Sequence, residues 1–145
     1  MKHIKIKGLI AAVHTPLNKD FSINFNYIKK QAKYLSKCNI SGVYVGGTTG
    51  EGLSFSVNER SKLFREWGNI IKDTNLIFIA NISHEKQSSS SKLGIEAQNS
   101  GADFISSLCL DPNVNSPEKL AKWLKPILNT TPDICLLYTS PSPRD

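Results

Sequence analysis

The feature that most constrains this chain is a repeated alternation of short apolar runs with amphipathic stretches. The runs "GLIAAV" (8–13), "GVYVGG" (42–47), "LIFIANIS" (76–83) and "ADFISSLCL" (102–110) are apolar at nearly every position. Such runs read as strands buried on both faces. Between them, "NFNYIKKQAKYLSKC" carries Phe25, Ile28, Ala32 and Leu35 at helical spacing. "SVNERSKLFREWGNIIKD" does the same with Leu63, Trp67, Ile70 and Ile71, and "SPEKLAKWLKPILNTT" with Leu120, Ala121, Trp123, Leu124, Ile127 and Leu128. "EKQSSSSKLGIEAQNSG" is a weaker helix. Its serine run 88–91 lowers helix propensity and is expected to form an exposed helical turn, and Gly101 should stop the helix. "PDI" (132–134) reads as the opening of a fifth strand.

Boundary residues support these elements. Ser56 and Glu59 make an S-x-x-E capping box, and Ser116 precedes Pro117 as N-cap before a first-turn proline. Pro126 should kink or shorten its helix. The order β-α-β-α-β-α-β-α-β, with strands recurring about every 30 residues, predicts a parallel sheet covered by helices. Both an open doubly wound sheet and a (β/α)₈ barrel keep this pace. In either, ligands sit beyond the C-terminal ends of the strands. "GGTTGEG" (46–52) lies at such an end, as do His14, Thr15 and Pro16, Ser83 and His84, and Leu110, Asp111 and Pro112.

Composition narrows the function classes. The 145 residues suffice for one domain, and 39% hydrophobic with 21% charged residues reads as soluble and globular. The net charge of +6 is spread over Lys2, Lys5 and Lys7, Lys29, Lys30 and Lys33, and Lys119, Lys122 and Lys125. No basic stripe with interleaved aromatics argues for nucleic acid. Cys38, Cys109 and Cys135 are far apart, without a CxxC pair or Cys/His cluster, so neither a zinc site nor a disulfide framework is expected. A reduced, cytoplasmic setting fits. The N-terminal apolar run 8–13 is too short for a membrane span and lacks the form of a signal peptide.

The glycine-threonine loop carries the chemistry. It has no lysine, so it is not a G-x-x-x-x-G-K-[ST] phosphate loop, and Glu51 opposes a polyanion. Its glycine spacing is not G-x-G-x-x-G, and it follows the second strand. Thr48 and Thr49 with exposed N–H groups suit a small, singly charged group such as a carboxylate. The same residues would also serve a tight βα turn in which the hydroxyls bond local backbone.

"GGTTGEGLSFSVNER" (46–60) resembles the signature of the pyruvate-dependent class I aldolases, the family of dihydrodipicolinate synthase and N-acetylneuraminate lyase. Its pattern is G-[ST]-T-G-E followed by E-R. "TTGEGLS" with "SV", "ER" and Trp67 is similar to animal sialic-acid lyases, and "GLIAAVHTPLNKDFSINF" (8–25) fits the opening pattern of these enzymes. The resemblance implies a (β/α)₈ TIM barrel, usually a homotetramer. Thr48 and Thr49 would bind the carboxylate of pyruvate or of a sialic acid, and no metal or organic cofactor would be needed. It implies a Schiff-base lyase that cleaves N-acetylneuraminate to N-acetylmannosamine and pyruvate. The alternatives are another pyruvate aldolase of the dihydrodipicolinate synthase type, or a non-catalytic half-barrel that binds a keto acid or a partner.

A barrel takes about 250 residues. This chain has room for the first four βα units and the start of strand five. In the family the relay tyrosine ends strand five and the Schiff-base lysine follows on strand six. Leu137, Tyr138 and Pro141 have an L-Y-x-x-P shape, but Tyr138 comes too late, and 135–145 resembles the in-frame translation of a transposon-type sequencing adapter. We therefore expect residues 1–134 to be the N-terminal half of a barrel domain and 135–145 to be a non-native tail. No catalytic residue is assigned within the chain, which is expected to be inactive as it stands. Lys62, Lys72, Lys92 and Lys125 lie on helices as solvated cations, and Trp67 and Trp123 as core. His14, His84 and Asp111 stand near strand ends, where loop capping is the default. Glu51 reads as a structural carboxylate. The segment after strand four, "SLCLDPNVNSPEK", lacks an aromatic that the family commonly lends to a neighbouring site.

Overall fold

The computed structural model describes residues 6–137. Lys2 and Lys5, and Tyr138 and Pro141 of the L-Y-x-x-P string, lie outside these. The elements are β1 (Ile10–Ala12), α1 (Phe25–Lys37), β2 (Gly42–Val45), a short 3-10 turn (Gly52–Ser54), α2 (Val57–Ile71), β3 (Ile77–Asn81), α3 (Gln87–Asn99), β4 (Phe104–Ser106), α4 (Pro117–Thr130) and β5 (Cys135–Leu137). All five strands are parallel and lie in the sheet in sequence order, β1-β2-β3-β4-β5. A doubly wound sheet reverses its strand order, and this one does not. The wall therefore winds in one direction, as five consecutive strands of a (β/α)₈ barrel. Each helix packs on the next, α1 on α2, α2 on α3 and α3 on α4.

Alternation along the strands sorts the residues into two faces. Val13, Val43, Val45, Phe78, Ala80 and Ile105 join the main core with Leu63, Phe64 and Trp67 of α2 and Trp123, Leu124 and Ile127 of α4. Phe64 and Phe78 meet edge to face, with ring centres 6.3 Å apart. The alternate positions, Ile10, Ala12, Tyr44, Ile79, Asn81, Phe104 and Ser106, belong to the inner face of the wall. They grade from apolar at the bottom to polar at the C-terminal end.

Three local expectations need correction. The serine run is helical as expected, within α3, but it is not all exposed: Ser90 is fully buried in the row that also holds Leu93 and Ala97. A small side chain there lets α3 sit close to its neighbours. Pro126 does not shorten its helix: it lies inside α4, which runs on to Thr130. Pro126 and Lys122 are both exposed, so the carbonyl that loses its partner is on the solvent side. Finally, 132–134 forms a turn, and β5 begins at Cys135. Pro132 has no N–H to give a ladder, whereas Cys135, Leu136 and Leu137 pair in register with Phe104, Ile105 and Ser106. Residues assigned to the tail thus occupy the strand-five position.

The capping box at α2 forms as expected. Ser56 accepts from the Glu59 N–H, and the Glu59 carboxylate accepts from the Ser56 N–H at 2.8 Å and from its hydroxyl at 2.7 Å. These bonds, the hydroxyl's first, hold the Glu59 carboxyl below its ordinary pKa. Their contribution is present at neutral pH and fades as pH falls through that lowered value. Ser56→Ala is expected to cost about 1 kcal/mol in urea unfolding at pH 7. The gap from the parent should narrow in acid.

Candidate active site

The loop after β2 is held by its backbone. The Glu51 N–H donates to the Thr48 carbonyl at 3.0 Å, and the Gly52 N–H to the Gly47 carbonyl at 3.1 Å. Thr15, in the segment that follows β1, is buried and donates its hydroxyl to the Gly50 carbonyl at 2.7 Å. Two glycines are required by close approach. A Cβ on Gly52 would run into the Gly46 carbonyl, and one on Gly47 into the Tyr44 ring. Glu51 takes a left-handed conformation, φ 53°, at the start of the 3-10 turn. It shapes the loop through its backbone, and its carboxylate has no hydrogen bond or ion pair among the described residues.

Thr48 and Thr49 are exposed at the top of this loop. Neither hydroxyl bonds to backbone or side chain among the described residues. The threonine that ties down local backbone is Thr15. The two site threonines stand on a fixed support with their hydroxyls free.

Beneath the loop lies a polar network that the sequence did not single out. Tyr44, Asn81 and Ser106 come from β2, β3 and β4. The Asn81 Nδ2 donates to the Tyr44 hydroxyl at 2.7 Å, and that hydroxyl lies 2.9 Å from the Ser106 hydroxyl. Arg60 of α2 is buried behind them. It donates to the Ser83 carbonyl at 2.8 Å and the Asn81 carbonyl at 2.7 Å, and more weakly to the Asn81 side-chain oxygen at 3.4 Å. Burial lowers its pKa to about 10, against a smaller opposing effect of Tyr44, so Arg60 stays charged at neutral pH. The "ER" of the motif was the one signal for it.

The other singled-out residues fall outside this cluster. The His84 Nδ1 accepts from the Lys86 N–H at 3.0 Å, capping the approach to α3. Burial, then the Arg60 charge, lowers its pKa and favours the neutral ring. His14 is exposed, and its carbonyl accepts from Gln31. Asp111 closes a local turn by accepting twice from Asn113, at 2.9 and 3.0 Å. Lys62, Lys72, Lys92 and Lys125 are all exposed, and Trp67 and Trp123 are buried. Among the described residues no group of three or more His, Cys, Asp or Glu assembles as a metal site, and no helix is long and apolar enough to cross a membrane.

The model of the dihydrodipicolinate synthetase family matches residues 5–144. The chain belongs to this family. Among its members, the chain is 36% identical over 138 residues to N-acetylneuraminate lyase A of Xenopus laevis, covering 92% of this chain and 45% of that protein. It is 37% identical over 125 residues to the human N-acetylneuraminate lyase, covering 86% of this chain and 37% of that protein. The solved N-acetylneuraminate lyase of Aliivibrio salmonicida superposes with a TM-score of 0.86 at 31% identity, over 95% of this chain and 45% of that one. The chain thus spans about half the length of the relatives it matches, and its wall corresponds to part of their barrels.

Because a Cβ at position 52 meets backbone, Gly52→Ala should destabilise the chain by about 1–3 kcal/mol. Leu53→Ala, at a residue that is 65% exposed, should change little. Urea midpoints of the two variants measured side by side check this.

Proposed function

We propose that the complete protein is a Schiff-base lyase that cleaves N-acetylneuraminate to N-acetylmannosamine and pyruvate, and that Thr48 and Thr49 hold the substrate carboxylate. The observation that carries this reading is the pair of free hydroxyls on a backbone-fixed loop at the C-terminal end of β2. The N-acetylneuraminate lyase names of the relatives above 30% identity support the choice of substrate.

The chemistry follows from what such a loop can do. In a 2-keto acid the carbonyl carbon is bonded directly to the carboxylate. Holding the carboxylate therefore fixes the carbon that an amine must attack. The lysine amine condenses there and water leaves. The hydroxyl on the departing carbon gives up its proton, and the protonated imine accepts the electron pair of the carbon–carbon bond as the sugar aldehyde leaves. The remaining enamine takes up a proton and is hydrolysed by water to pyruvate and the free lysine. Hydroxyl donors suit this task better than a lysine or arginine clamp. They bind one negative charge without adding a cation next to a nascent iminium. Loop rigidity matters because the hydroxyls then need little reordering when substrate arrives.

We assign the Schiff-base lysine and the proton-relay tyrosine to chain beyond Ile134, and read 135–145 as non-native. A homotetramer in the cytoplasm completes the proposal. It is supported by the family resemblance and by Cys38 and Cys109, which are both free.

In the full-length protein, N-acetylneuraminate should release pyruvate, and borohydride with pyruvate should trap a modified lysine. Thr49→Val removes one hydroxyl while keeping the side-chain shape. It should raise KM for N-acetylneuraminate roughly 10- to 100-fold, the worth of a hydrogen bond to a charged group. Absence of pyruvate release would overturn the substrate assignment, and an unchanged KM would remove Thr49 from the carboxylate site.

A further inference from the structure

The network of Tyr44, Asn81 and Ser106 holds one hydroxyl proton that has no acceptor among the described residues. The Asn81 side-chain oxygen accepts from the Ser83 N–H at 3.1 Å and faces Arg60 on the same side. Turning the amide over would set its NH₂ against those donors. The amide is therefore fixed with Nδ2 toward Tyr44. The Tyr44 oxygen accepts that N–H, which leaves the phenol one proton to give. Its neighbour among the described residues is the Ser106 hydroxyl, and either oxygen can donate across that contact. One of the two hydroxyl protons therefore stays without an acceptor among the described residues, and it is the Ser106 proton when Tyr44 donates.

The position of that proton is informative. Asn81 and Ser106 pair across β3 and β4, one step beyond the Val45 and Ala80 pair. They form the last row of the inner wall, directly below the loop. The Tyr44 ring packs against Gly47, the residue before Thr48. Ser106 is half-buried, at an inner-face position of β4. A hydroxyl that already accepts from a phenol is also a stronger donor than an isolated serine.

We propose that Ser106 is a ligand-contacting residue of the pocket, donating its hydroxyl proton to an oxygen at the keto-acid end of the substrate, and that Tyr44 is the positioning residue that orients it. This rests on the keto-acid reading of the site. It adds a third hydroxyl donor, from β4, to the two supplied by the loop. Asn81 and Arg60 hold the chain of bonds from behind without reaching the ligand.

The test uses the full-length protein and the pyruvate concentration that gives half-maximal lysine trapping by borohydride, a readout independent of the sugar. Ser106→Ala should raise that concentration about tenfold, the worth of one hydrogen bond. Tyr44→Phe should raise it by less, because the serine keeps its donor but loses its orientation. The double variant should match Ser106→Ala alone, since Tyr44 acts through Ser106. Ser106→Thr, which restores a hydroxyl, should recover most of the affinity. A merely structural role would lower the urea midpoint and leave trapping unchanged in every folded variant, and that result overturns the proposal. Additive losses in the double variant overturn the positioning role of Tyr44. Failure of the parent protein to trap pyruvate would instead remove the keto-acid reading, and this proposal with it.

Discussion

The arrangement of the site depends on one buried cation. Arg60 leaves α2, crosses the helix layer and gives its guanidinium to the carbonyls of Asn81 and Ser83 at the end of β3. Those carbonyls lie where the strand ladder is running out and would otherwise be short of donors. Burying a charge is costly, and the lowered pKa of about 10 records that cost. Two charge-assisted bonds in a fixed fork offset it. The same contact sets the Asn81 amide, the amide sets the Tyr44 hydroxyl, and the Tyr44 ring supports Gly47 beneath the threonines. A lysine would supply one point charge and could not serve both carbonyls in this geometry.

The wall that carries this chain of contacts is asymmetric. Its outer face is packed with Val43, Val45, Phe78, Ala80 and Ile105 against Phe64, Trp67 and Ile127, all fully buried or nearly so. Its inner face holds Ile79 and Phe104 low down and Tyr44, Asn81 and Ser106 at the mouth. A parallel wall can keep polar side chains inside only if they satisfy one another, and these three do so across adjacent strands. The polarity of the mouth and the apolar packing beneath it follow from a single alternation read along each strand.

Much of this was legible in the chain. Helical spacing at Ile28 and Ala32, at Leu63 and Trp67, and at Trp123 and Ile127 located three helices and their buried faces. The Ser56 and Glu59 box and the Ser116 and Pro117 start located two helix ends. The loop 46–52 stood out because glycine and threonine have few other reasons to cluster after a valine-rich strand. Choosing the barrel over the doubly wound sheet from residues alone was out of reach, because strand order is a property of pairing, which no local pattern encodes. Ser90 was misread for a related reason. Serine is polar by type, and only the close approach of neighbouring helices makes it a core residue.

The polar network was illegible for a deeper reason. Tyr44, Asn81 and Ser106 are separated by more than a βα unit in the first case and by most of one in the second, and none is a group that sequence reading treats as chemical. Their meaning lies in register. A shift of one residue in β3 or β4 would turn Asn81 or Ser106 into the helix layer, leaving a polar group among apolar side chains. The apolar outer face therefore enforces the polar inner one: Phe78, Ala80 and Ile105 cannot stay in the core unless Asn81 and Ser106 face inward. The hydrophobic pattern that folds the wall thus also aims the hydroxyls at its mouth, and Arg60 locks the aim once the register is set.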